Sequence, residues 1–424
     1  MPVDELIVFD CGTPGDPVPI ASFRIHDVDY DGRLRYLQTL GVMREFFYLH
    51  PKYVASHDDE IRIPQHTDGT FFLSDSIPSA WGARLTGRLL KQAGKSLPKN
   101  AFEWLKQPAH CGPGRLVFSN DRDNAPELDG ITASPRDLTP ELSAELYNFI
   151  DLPDAYLDAN ALRILRPGGD LGGVRPKTVV THEGREHIAK FGVPTDRFDM
   201  PMAEYATLRL AFQSGISVPS FELIEVGSRT ALLVERFDRT DCGKRIHYLS
   251  AYSLLNPRPS EGDREQYRDA FSYAGLAEAL YAFSDYAPEL GRELFRRMVL
   301  NIMVGNTDDH LRNHGVLMEK PGKFELSPAF DICPHLEAPF RSQSIGVGDL
   351  GAASTVENAL SQSARFLLSP SEAGKIISEV KDVVSQWRRV FAEAGATTTD
   401  LQRLRPCFSV AEQADVVSVN LRPE

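Results

Sequence analysis

Apolar residues at helical spacing (Leu294, Phe295, Met298, Val299, Ile302 and Met303) run up to Gly305, and the next ten residues read NTDDHLRNHG. The helical face demands burial. The ten residues after it hold two aspartates, two histidines and two asparagines. A fold that buries the helix must find partners for these groups, because polar side chains drawn toward a core are costly unless hydrogen-bonded. The partner can be a metal, a phosphate or water.

Three readings of the segment are open. His310 and His314 are four residues apart, so on a helix they would share a face and could bind zinc. However, Gly305-Asn306 breaks the helix and no glutamate follows His310, so the HExxH zinc pattern is absent. A solvated, capped turn is the second reading, since Asp and Asn favour such turns. The third is phosphoryl transfer. Asp308 and Asn313 have the spacing of the catalytic aspartate and asparagine of kinase loops. There the aspartate accepts a hydroxyl proton and the asparagine amide oxygen coordinates a metal. Such a loop is followed by a second metal-binding aspartate, usually after a hairpin. GVLM, the turn EKPGK and FEL predict that hairpin, and SPAFDICPH places Asp331 after it. FDIC could equally be a plain strand end.

Upstream segments fit the third reading in order. RPGGDLGGVRPK (166–177) has four glycines in a loop before a predicted hairpin, and glycines let backbone N–H groups approach phosphate. It is not a Walker A motif. Arg163, Arg166, Arg175 and Lys177 against Asp170 make 163–177 net +3. Lys190, in HIAKF, ends the next predicted strand, with Ile188 and Phe191 expected in the core. A lysine there wants a phosphate or a carboxylate, unless it only snorkels to water. Glu204, early in the following helix, is its candidate partner; its alternative task is to complement the helix dipole.

Composition bounds the rest. The chain has 424 residues, 42% of them hydrophobic, enough for a large core in two or three domains or one two-lobed enzyme. A net charge of −13 argues against a general nucleic-acid backbone binder. The five cysteines (Cys11, Cys111, Cys242, Cys333, Cys407) form no CxxC, which suggests reduced thiols. MPVDELIVFD has acids where a signal peptide has bases, and there is no apolar run long enough to span a membrane. A cytoplasmic protein without a membrane partner is expected.

Short strands are predicted at ELIVF, PIASFRI and FFL (71–73), helices near 79–93, 100–107 and 140–150, and a loop over CGPGRLVFSNDRDNAPELDG. KTVV and EHIAKF flank THEGR as a hairpin; FELIEV and TALLVERF flank GSR as another. Between them MAEYATLRLAFQSG reads as a helix ended by Gly215. Beyond about 260 the chain reads as helical, with Ser369–Glu372 as a capping box before the apolar face Ile376, Ile377, Val380, Val383, Val384, Trp387, Val390 and Phe391. The expected organisation is residues 1–155, strands plus helices; 156–240, strand-rich, with the glycine loop; and 241–424, helical.

The segments LGGVRPK, HIAKF, AEYATLRLA, LLVERFDR, NTDDHLRNHG and FDICP together resemble the HipA toxin kinases of bacterial toxin–antitoxin pairs, and SDSIPSAWGARLTGRLL and CGPGRLVF resemble that family's N-terminal part. The resemblance covers most of the chain. The Asp308-x-His310-x-x-Asn313 pattern is also similar to phosphoinositide-type lipid kinases. The resemblance implies an α+β, two-lobed, protein-kinase-like fold. It implies that Gly172, Gly173, Val174 and Lys190 contact the phosphates of ATP, with Glu204 as the partner of Lys190. Glu235 and Phe237 would contact adenine from the interlobe hinge, largely through backbone, and Asp238 would lie near the ribose. Asp308 would be the catalytic base, His310 would orient the loop, and Asn313 and Asp331 would hold Mg²⁺. The implied activity is serine phosphorylation of a protein, an aminoacyl-tRNA synthetase for the best-known members. The implied partner is a small helix-turn-helix antitoxin, HipB-like, through which DNA is met indirectly. Asp170 stands where many members carry an autophosphorylated serine, which places that self-inactivation in doubt and marks Asp170 as a regulatory position. Two other classes stay open: a kinase-fold protein that only docks an antitoxin–DNA complex, and a small-molecule or lipid kinase.

Overall fold

The computed structural model describes residues 5–12, 17–25, 32–37, 49–51, 60–63, 71–107, 111–128, 130–152, 155–255, 269–320, 322–336 and 341–412. The chain forms two compact units. One comprises 1–195, 224–256 and 316–324; the other comprises 196–223, 257–315 and 325–424.

The first unit is rich in strands. β1 (Glu5–Asp10), β2 (Val18–Ile25), β3 (Gly32–Tyr36), β4 (Ile61–Ile63) and β5 (Leu116–Ser119) form an antiparallel sheet in the order β4-β3-β2-β1-β5. The predicted strand at 71–73 is instead part of a 3-10 helix, Phe71–Ser76. LVFS, expected in a loop, is β5: it is short, and its partner β1 lies about a hundred residues earlier, so nothing local announces the pairing.

β6 (Lys177–His182) and β7 (Arg185–Phe191) form the first predicted hairpin. Its two-residue turn has φ of 51° at Glu183 and 79° at Gly184, the doubly positive geometry that matches strand twist. β8 (Phe221–Val226) and β9 (Arg229–Glu235) form the second, in a sheet ordered β6-β7-β9-β8. Val180, Ala189, Ala231 and Leu233 pack on Trp81, Leu85, Leu146, Phe149 and Ile164 from the helices Ala80–Gln92, Pro140–Asp151 and Ala159–Leu165. β10 (His247–Ser250), β11 (Gly315–Lys320) and β12 (Lys323–Leu326) complete a third sheet, with β11–β12 as the predicted hairpin.

The second unit is helical and built around Ala287–Val304. The predicted face is fully buried, and so are Leu300 and Val304. Helix Pro370–Val384 starts with the expected capping box: Ser369 Oγ accepts from Glu372 N–H, and the Glu372 carboxylate accepts from Ser369 N–H. Farther on, Trp387 stacks on Phe408 at 4.2 Å between ring centroids. Gly215 and Gly305 take the left-handed conformation expected after a helix. At Gly305 a Cβ would lie 2.7 Å from the Cys407 carbonyl oxygen, so close packing as well as φ requires glycine.

Candidate active site

In the first unit, the glycine loop divides into two halves. Arg166–Asp170 is a 3-10 turn whose last four residues are buried. Gly168 meets the Lys177 carbonyl, and the Gly169 carbonyl meets Gly82 of the helix below, so these glycines serve packing. Gly172, Gly173 and Val174 form an exposed tip, with φ +102° at Gly173. The Gly173 carbonyl holds the tip to the start of the helix Ala80–Gln92. Ser79 Oγ donates to the Gly173 carbonyl at 2.7 Å and Trp81 N–H donates to it at 3.3 Å. Backbone N–H groups at an exposed glycine tip are what a phosphate site needs.

Lys177, one of the basic residues of 163–177, is bound into the glycine tip. Its ammonium donates to the Gly172 carbonyl, inside the tip, and its own carbonyl accepts from Trp81 Nε1 at 3.0 Å. The hairpin sets Lys177 directly opposite Lys190, on the same face of the sheet. The two-residue turn at 183–184 fixes this register, so the pairing was readable from the sequence. Alternation also corrects the surroundings of Lys190. Ala189 and Phe191 point into the core, whereas Ile188 shares the half-open face of Lys190.

Asp170 is buried and its carboxylate accepts from Cys111 N–H at 3.1 Å. It therefore belongs to the packed half of the loop rather than the tip. Burial, then the Asp170 charge, pushes the Cys111 thiol up to about 12.

At the end of β9 the Glu235 carboxylate is held by Arg185 at 2.5 Å. Phe237 lies half-buried, 6.3 Å from Tyr248 between ring centroids. Asp238 is buried and accepts four hydrogen bonds, two from Arg236, one from Arg239 and one from Gly114 N–H. Burial alone would raise its pKa; Arg236 and Arg239 overcome this and hold it well below the usual carboxylate range. Arg236 also donates to the carbonyls of Cys111 and Gly112. Asp238 thus ties the end of β9 to segment 111–114.

In the second unit, Glu204 is buried on the helix Met200–Gln213, whose N-cap is Asp199. The NTDDHLRNHG segment alternates. Asp308 and His310 are exposed, whereas Asp309, Asn313 and His314 are buried. Asn313 lies in a 3-10 turn, its N–H donating to the His310 carbonyl at 2.8 Å. Its Nδ2 donates to the Asp308 carbonyl at 3.3 Å, which leaves the amide oxygen as the end able to bind a cation. Beyond the hairpin, the chain is pinned on both sides of Asp331. Ser327 N–H donates to Gly315 at 2.8 Å, Ala329 N–H to Ser217 at 2.7 Å, and His335 N–H to the Gly305 carbonyl at 3.0 Å. Asp331 itself has φ +60°, a conformation that costs an aspartate energy and clusters at functional sites.

Asn313 and Asp331 offer one amide oxygen and one carboxylate. Among the described residues there is no group of three or more His, Cys, Asp or Glu that could cage a metal. That donor set suits Mg²⁺, which keeps several waters and is usually bound by one or two carboxylates plus phosphate oxygens. Asp309, passed over in the sequence, is the buried hub of the segment. It accepts from Tyr273 Oη, from Asn301 Nδ2 at 2.7 Å and from His314 Nε2 at 2.9 Å.

Comparison with known proteins gives a consistent result. The HipA-like C-terminal domain matches residues 169–387. A Haemophilus influenzae protein provisionally named a kinase is 30% identical over 138 residues, covering 30% of this chain and 39% of that protein. The serine/threonine-protein kinase toxin HipA of Shewanella oneidensis is 26% identical over 192 residues, covering 39% of this chain and 43% of its own length. The matched region is thus about two-fifths of the length of these relatives. Among solved structures, the complex of HipA, HipB and operator DNA from Shewanella oneidensis MR-1 contains a chain that superposes with a TM-score of 0.64 at 17% identity, covering 96% of this chain and 95% of that one. The shared architecture is the α+β, kinase-like fold.

Proposed function

The chain belongs to the HipA-like family, and from that premise we propose that it is a Mg·ATP-dependent serine/threonine protein kinase acting as the toxin of a toxin–antitoxin pair. The observation that carries this reading is the geometry of 308–313. The Asp308 side chain is exposed while its carbonyl is tied to Asn313 Nδ2, so a candidate base and a candidate metal ligand are fixed within one turn.

In this reading Gly172, Gly173 and Val174 offer backbone N–H groups to the phosphates. Lys177 and Lys190 supply charge: like-charged residues at directly opposed strand positions disfavour one another, and a bound anion relieves this. Glu204 is the carboxylate partner of Lys190, and Glu235 and Phe237 receive the adenine through backbone. Mg²⁺, held by Asn313 and Asp331, would neutralise charge on the transferring phosphoryl group. The acceptor hydroxyl oxygen forms a bond to the γ-phosphorus as the bond from that phosphorus to the β-bridging oxygen breaks. The hydroxyl proton goes to the Asp308 carboxylate, and His310 keeps the loop oriented.

Partners follow from the same premise. A small, basic helix-turn-helix antitoxin would bind this acidic chain and carry the DNA contacts. The substrate is a seryl protein, with a translation enzyme such as an aminoacyl-tRNA synthetase as the first candidate. Induction in a growing host tests the toxin reading. Wild type should arrest growth, and Asp308→Asn, expressed to the same level, should not. Equal arrest by both would detach toxicity from phosphoryl transfer.

A further inference from the structure

Asp309 is the acidic residue of 306–315 that the transfer chemistry leaves without a task. Its side chain is 4% exposed, although both sequence neighbours, Asp308 and His310, face outward. Three donors from three places converge on it. Tyr273 Oη opens the helix Tyr273–Tyr281, Asn301 Nδ2 comes from the last turn of Ala287–Val304, and His314 Nε2 comes from the far side of the 3-10 turn. Asn301 is itself oriented by Asn306, whose Nδ2 donates to Asn301 Oδ1 at 3.0 Å. Tyr273 and His314 also meet edge to face, with centroids 5.5 Å apart. The contacts form a chain from 306 to 301, to 309, to 314.

A loop that only had to turn does not need a carboxylate removed from water, since that is costly unless every lone pair is used. Here all three donors meet one oxygen, Oδ2, so the cost of burial is only partly offset, and what the carboxylate clamps is the stretch between Asp308 and Asn313. We propose that Asp309 is a positioning residue: through Tyr273, Asn301 and His314 it fixes the backbone that carries Asp308 and Asn313, holding proton acceptor and metal ligand in register without touching substrate. This rests on the phosphoryl-transfer reading above.

The test uses the full chain as wild type, Asp308→Asn, Asp309→Asn and Tyr273→Phe. Each is measured for thermal unfolding, for Mg·ATP dissociation constant, and for single-turnover transfer from saturating Mg·ATP to a mixed soluble-protein extract. Misplacement of a reacting group by about 1 Å can cost about 100-fold in rate. Asp309→Asn should therefore lose about 100-fold in transfer rate and Tyr273→Phe about tenfold, while the dissociation constant stays within about threefold. A purely structural role would lower the unfolding temperature and the yield of active protein, yet leave the rate per nucleotide-binding site unchanged. A rate within about twofold of wild type in folded Asp309→Asn, or in Tyr273→Phe where Asp309→Asn does not fold, overturns the proposal. If wild type transfers and Asp308→Asn does not, that failure touches the positioning role alone; a wild type that transfers nothing overturns the kinase reading itself.

Discussion

At the level of single residues, the proposed reaction divides groups that would address a ligand from groups that hold the loops. Lys177 and Lys190 face one another across a hairpin under the glycine tip. Lys177→Ala and Lys190→Ala should each weaken Mg·ATP binding about tenfold or more, about 1.4 kcal/mol, in calorimetry. Asp170, in contrast, is pinned to Cys111 N–H inside the packed half of the loop. The segment 166–176 has no serine, threonine or tyrosine, so hydroxyl autophosphorylation cannot occur within it. Asp170→Ser should create an acceptor there while leaving initial ATP affinity within about threefold; a large gain in affinity before any phosphorylation would mark Asp170 as a brake.

Residue chemistry also sets a pH dependence. His247 is buried, its Nε2–H donating to the Leu49 carbonyl at 3.0 Å, and burial pushes its pKa down to about 3. Between that value and the ordinary value near 6.5, the unfolded chain binds a proton that the folded chain refuses, so stability falls as pH falls across this window. The loss is roughly 1.4 kcal/mol per pH unit for one such group. His247→Gln keeps a donor without the titration. The slope of unfolding free energy between about pH 6 and pH 4 should flatten in that variant, and an unchanged slope would assign the dependence elsewhere.

At the level of elements, what was legible is what local chemistry dictates. Both hairpins around 183–184 and 227–228, the helix ended by Gly215, the capping box at Ser369–Glu372 and the long apolar helix ended by Gly305 all carry their signals within a few residues. What escaped depends on distant partners. FFL looked like a strand but is a 3-10 turn. β5 needed β1 to exist. The guanidinium groups that hold the Glu235 and Asp238 carboxylates become evident only in three dimensions. Asp308 and Asp309 are adjacent and chemically identical, and no sequence pattern says which turns inward. Gly305→Ala tests the element logic. With φ +67° and the Cys407 carbonyl 2.7 Å from the added Cβ, it should lose roughly 1–3 kcal/mol in denaturant unfolding.

At the level of the whole molecule, the chain joins a strand-rich unit bearing a glycine tip and two lysines to a helical unit bearing Asp308, Asn313 and Asp331. No helix among the described residues is long and apolar enough to cross a membrane. With a net charge of −13, the isolated chain should bind duplex DNA only weakly at physiological salt, and a mobility-shift titration should show retention only after a basic partner is added. Tight binding by the chain alone would remove the need for an antitoxin to carry the phosphate contacts.

In the proposed reaction Asp308 accepts a proton during transfer from ATP. The direct measurement is transfer of the labelled γ-phosphate to serine and threonine of extract proteins by purified wild type and Asp308→Asn, with the Mg·ATP dissociation constant of each protein measured alongside. The expected result is labelling by wild type and a loss of about 100-fold or more in Asp308→Asn, at dissociation constants within about threefold of one another. Equal labelling by the two proteins, or absence of Mg·ATP binding by wild type, would contradict it.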